Sequence, residues 1–103
     1  MSYRKEKEFS KIIDELYIIY SNKNADYGDA VGKSFEKWGD IALLVRISDK
    51  YNRIENLINK QNLVKDETIE DTILDLANYL IIWAMERRLK KEEDIERWEE
   101  IHE

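Results

Sequence analysis

The chain has 103 residues, 43% of them hydrophobic and 39% charged, and a formal net charge of −6. That length supports one domain with a modest core and leaves further apolar burial to self-association. Cysteine is absent and the single histidine is the penultimate residue, His102, which excludes disulfides, thiolate zinc sites and serine–histidine or cysteine–histidine catalysis. The acidic balance argues against a dedicated nucleic-acid binder.

No apolar segment approaches the roughly 20 residues of a membrane span. The charged start, Tyr3-Arg4-Lys5-Glu6-Lys7-Glu8, is not a signal peptide, and the expected location is the cytoplasm. Phe9, Ile12, Ile13, Leu16, Ile19 and Tyr20 recur at the helical period and predict a first helix over about residues 4 to 22. Proline is absent, and all three glycines, Gly28, Gly32 and Gly39, gather between residues 21 and 40. That stretch reads as a long connector with a helical turn near Phe35 to Trp38. Bundle helices are usually joined by about 2 to 8 residues, so the connector is read as a functional loop or lid. Its candidate ligand-binding residues are Lys23, Asn24, Asp26 and Tyr27: the amide and acid suit a base edge, the ring can stack, and the lysine suits phosphate. Trp38 is read first as a core residue.

Asp40 is the expected N-cap of a second helix that runs to about Lys60. After a polar connection, Thr68 and Asp71 have the spacing of an acidic capping box, so a third helix is expected from near Glu67 to about Leu89. From Glu86 to Glu103, eight acids against five Lys or Arg give −3, half of the whole chain's charge. Residues 90–103 are expected either as a fourth helix, pinned to a partner or to the first helix through Ile95, Trp98 and Ile101, or as a solvated tail. Strand signals are weak, with no turn-bounded alternating runs and no Gly-containing hairpin pairs. The expected fold is all-α: a single domain over residues 1–103, a small bundle of three or four helices completed by homo-oligomerisation.

The third helix carries the chemistry. Asp71, Asp75 and Asn78, spaced by four and three, share one stripe in a run otherwise made of Leu74, Leu76 and Leu80 to Trp83. Asp75 is expected to be partly buried, and a buried carboxylate costs on the order of several kcal/mol unless it is paired or bound. Arg46, Asp49, Lys50 and Arg53 share a face of the second helix and are the expected partners. Facing stripes make either a ligand site or a salt-bridge network of Asp71 and Asp75 with Arg46 and Arg53. As a site, Asp49, Asp71 and Asp75 would suffice for magnesium, which takes one or two protein carboxylates and completes its shell with water and phosphate oxygens. Arg46, Lys50 and Arg53 would offset a polyphosphate, and Asn78 would orient a water or a base. The outline is a nucleotide pocket between the second and third helices.

Four blocks in order also carry a resemblance: Lys23-Asn24-Ala25-Asp26-Tyr27-Gly28, Arg46 through Arg53, Lys65-Asp66-Glu67, and Asp71 through Tyr79. Over about residues 17 to 85 the chain resembles the nucleotide modification associated domain of phages and prophages, type one. The resemblance implies a role around modified or invading nucleotides in a bacterial host cell. More remotely, the helix pair is similar to the all-α nucleoside triphosphate pyrophosphohydrolases of the MazG type, which implies magnesium-dependent release of pyrophosphate by oligomers. Those enzymes carry Glu-x-x-Glu and Glu-x-x-Asp, whereas this chain has Asp49 followed by Asn52, and Thr72 before Asp75. Whether Asp71 or Glu67 completes the acid set stays open.

Three readings follow. In the first, a nucleotide-binding protein hydrolyses a triphosphate, with Asp49 and Asp75 as catalytic metal ligands and Lys50 and Arg53 stabilising developing charge. In the second, the protein sequesters a nucleotide immune signal, such as a cyclic dinucleotide or an ADP-ribose derivative, without chemistry. In the third, it is a structural helical oligomer.

Overall fold

The computed structural model describes residues 2–27, 29–59 and 65–102, the side chains of 2, 26, 27 and 65–68 excepted. Among these residues the chain is all-α, with no strand and four helices: α1 (Ser2–Tyr27), α2 (Ala30–Trp38), α3 (Asp40–Asn59) and α4 (Lys65–Ile101). No helix is long and apolar enough to cross a membrane.

α3 starts at Asp40 as expected, whereas the other helices are longer than the sequence pattern predicts. α1 passes residue 22 and reaches Tyr27, because nothing before Gly28 breaks it. The expected connector over 21–40 is therefore helix at both ends. Its second part is α2, whose less exposed positions, Val31, Gly32, Ser34 and Phe35, fall at helical spacing. The expected third helix and charged tail are one continuous element of 37 residues, since no glycine or proline interrupts 65–101. α4 also starts two residues before Glu67; the side chain of Thr68, and with it the capping box, lies outside the described residues.

Two units make up the chain, Met1–Ala30 and Val31–Glu103. In the first, Leu16 is buried, while Phe9, Ile13 and Tyr17 of the same helix are exposed. In the second, α2 ends at a corner made by Gly39, whose φ of 69° is left-handed. The Gly39 amide donates to the Phe35 carbonyl at 2.7 Å, closing α2, and the Ala42 amide donates to the Gly39 carbonyl at 3.1 Å as α3 begins.

α3 and α4 form an antiparallel pair. Asp40 at the start of α3 meets Trp83 and Arg87, and Lys50, ten residues on, meets Asp75, further back along α4. Ala42 and Leu43 are buried on the inner side of α3. In this register, α4 beyond Arg88 has run past the start of α3, which leaves Ile95, Trp98 and Ile101 exposed. α4 closes with His102 stacked on Trp98, centroids 4.1 Å apart, and with His102 Nδ1 2.8 Å from the Trp98 carbonyl oxygen, which accepts from it in the tautomer that carries the proton there.

Candidate functional site

The α3–α4 seam joins the two stripes singled out in the sequence, although the partners differ from the predicted network. Lys50 Nζ lies 2.9 Å from Asp75 Oδ2, with side chains 27% and 20% exposed. Asp75 is thus partly buried and paired, as its surroundings require, and its cation is Lys50 rather than an arginine. Such a pair is screened less than a surface one and remains reachable by a competing anion.

Two neutral groups flank this pair on α4. Thr72, three residues before Asp75, and Asn78, three after it, are 5% and 7% exposed. Neither leaves a buried polar side-chain atom without a partner. Asn78 was anticipated by its spacing; Thr72 was not, because the pattern favoured the charged Asp71 next to it. The hydroxyl at three-residue spacing from Asp75 was the legible signal. Asp71 itself is exposed.

On α3, Arg46 is half-buried and tied down: Nη1 donates to the Ala42 carbonyl at 3.3 Å and Nη2 to Ser34 Oγ at 3.4 Å. It links α2 to α3 and keeps further donors in its fork. Asp49 and Arg53 are exposed beside the seam. Lys23 and Asn24 sit near the end of α1, both exposed, and the side chains of Asp26, Tyr27 and Glu67 lie outside the described residues. Trp38 is 65% exposed, not core, with Lys37 Nζ 5.2 Å above its ring.

Among the described residues, no three acids, histidines or cysteines come close enough to hold a metal ion. Asp49 and Asp71 are exposed while Asp75 is engaged by Lys50, so these side chains as arranged do not fit a magnesium ion held by all three. At the seam the partly buried carboxylate of Asp75 faces the partly buried Lys50, with the partly buried Arg46 on the same helix, while the exposed Arg53 stands with the exposed acids Asp49 and Asp71.

A groove of about 870 Å³ opens elsewhere, between the α2–α3 corner and the second half of α4; Phe35, Asp40, Arg87, Lys91, Ile95 and Trp98 line it, and no sequence-predicted site residue does. At its edge Trp83 Nε1 donates to Asp40 Oδ1 at 2.7 Å and Arg87 Nη1 to Oδ2 at 3.3 Å. Asp40, expected only as an N-cap, therefore bridges the helices.

The family model described as nucleotide modification associated domain 1 matches residues 23–86, which include the seam and exclude the last fifteen residues of α4. No curated protein and no solved structure matches the chain.

Proposed function

Because the chain belongs to the nucleotide modification associated domain 1 family, we propose that it binds a nucleotide or nucleotide-derived phosphate at the α3–α4 seam and retains it without cleavage. The observation that carries this reading is the half-buried Lys50–Asp75 pair at 2.9 Å, flanked by buried Thr72 and Asn78. A phosphate competes with Asp75 for the ammonium of Lys50. Arg53, one turn further along α3 and exposed, offers a planar fork for a second phosphate contact. Asn78 supplies the hydrogen-bonding geometry of an amide next to the charged pair. A carboxylate already engaged by an ammonium, as Asp75 is by Lys50, is poorly placed to activate a water, which favours holding an anion over cleaving it.

The test is incubation of the purified protein with canonical, modified and cyclic nucleotides, with and without magnesium, followed by removal of unbound ligand and chromatography of both fractions. Selective depletion with intact release on heating is the expected trace. Conversion of a triphosphate to monophosphate and pyrophosphate would overturn retention and establish hydrolysis instead. An unchanged panel would overturn nucleotide binding altogether. Arg53→Ala, at an exposed position, is expected to weaken binding about tenfold with the fold intact, the loss of one charge-assisted contact.

A further inference from the structure

The groove between the α2–α3 corner and the second half of α4 has a mixed lining. Phe35 of α2 and Ile95 and Trp98 of α4 give it apolar walls, and its volume of about 870 Å³ lies in the range of small-molecule sites. On α4, Arg88, Lys91, Ile95 and Trp98 recur at spacings of three and four, so two cations and two apolar side chains share one side of the helix. Trp98 is steadied there by the His102 ring stacked on it, centroids 4.1 Å apart.

Charge narrows the occupant further. Arg87, Arg88, Lys90 and Lys91 line the groove against three acids, Glu36, Asp40 and Asp94. Arg87 is engaged by Asp40 at 3.3 Å and Lys90 by Asp94 at 2.7 Å. Among the described residues Arg88 and Lys91 have no such ion pair, and neither has Glu36 on the α2 wall. The balance left in the lining is a single positive charge, placed on the α4 wall, in a chain whose net charge is −6. One anionic group beside Arg88 and Lys91, kept from the α2 wall by Glu36, with a flat apolar body against Trp98 and Phe35, complements this lining. A polyphosphate brings more negative charge than the lining offsets.

We propose that this groove binds a small aromatic carboxylic acid, its carboxylate held by Arg88 and Lys91 and its ring laid against Trp98 and Phe35. Arginine and lysine together give the carboxylate charge-assisted hydrogen bonds, and the indole and phenyl rings supply the flat apolar contact. Every α4 residue in the lining follows residue 86, the last of the family match, so the site is additional to the one at the seam. Lys50 lies ten residues along α3 from Asp40, about 15 Å at the helical rise, which separates the two. The inference therefore does not rest on nucleotide binding.

The test is titration of the full chain with naphthylacetate, followed by ligand-observed NMR, beside three comparison probes: uncharged naphthylethanol, acetate, and naphthyl phosphate. Naphthylacetate is expected to bind saturably and tightest of the four, about tenfold or more ahead of the alcohol and of acetate, the share of one charge-assisted contact or of the ring. Lys91→Gln and Trp98→Ala, both at exposed positions, should each weaken it about tenfold while circular dichroism stays helical. No saturable binding at millimolar naphthylacetate overturns the proposal. Equal binding of the alcohol overturns the role of Arg88 and Lys91, and tighter binding of naphthyl phosphate overturns the singly charged class. Binding indifferent to both variants places the probe elsewhere and overturns the groove as its site.

Discussion

Lys50 and Asp75, 25 residues apart in sequence, meet at 2.9 Å in the seam of α3 and α4 with about three quarters of each side chain shielded from solvent. The pair aligns the two helices where their apolar sides alone would tolerate sliding by a turn. Removing one member takes the ion pair from the other in a partly desolvated position. Lys50→Met is expected to lower stability by about 1–3 kcal/mol, less than for a fully buried pair because solvent still reaches both groups. Lys50→Met combined with Asp75→Leu should recover much of that loss. Urea denaturation of the two single variants and the double variant checks it, and a double variant less stable than the sum of the singles would contradict it.

Gly39 turns the chain from α2 into α3 with a φ of 69°, and a Cβ built there meets nothing within 4 Å. The cost of a side chain is then wholly that of the left-handed backbone. Gly39→Ala is expected to destabilise by about 1–2 kcal/mol, and Gly39→Asn by less. Thermal melts that rank alanine above asparagine would contradict this assignment.

Asp40 accepts from Trp83 Nε1 at 2.7 Å and from Arg87 at 3.3 Å. Its side chain is half exposed, so the arginine contributes little and the indole bond most. Asp40→Ala should cost about 1 kcal/mol. Trp83 emission should shift with it; the comparison uses a background in which Trp38 and Trp98 are replaced by phenylalanine. Unchanged emission would show that the indole does not depend on Asp40.

The last part of α4 overhangs the start of α3, and its apolar residues Ile95, Trp98 and Ile101 are exposed. Ending the chain after Leu89 should therefore reduce helical ellipticity while the chemical midpoint of the remaining fold changes by little. Nucleotide retention at the seam should persist, since the removed side chains touch none of its members. Loss of binding on truncation would move the site toward the groove at Trp98.

Much of this architecture was legible before any coordinates. The absence of proline and the confinement of glycine to 28, 32 and 39 determine that helices dominate; within the stretch 21–40, which reads as one connector, only the structure places a corner at Gly39 and a helix across Gly32. Spacing alone puts Asp75 and Asn78 on one stripe of α4 with Asp71, and Lys50 on one face of α3 with Arg46, Asp49 and Arg53, because side-chain direction along a helix is local geometry. Tertiary structure decided which cation meets Asp75, that Thr72 is buried where Asp71 is exposed, and that Asp40 reaches Trp83 across 43 residues. Those outcomes depend on the register and rotation of one helix against another, which periodicity does not specify. The same reason separates the two halves of α4: its sequence makes one unbroken helix, and only its pairing with the shorter α3 determines where burial ends.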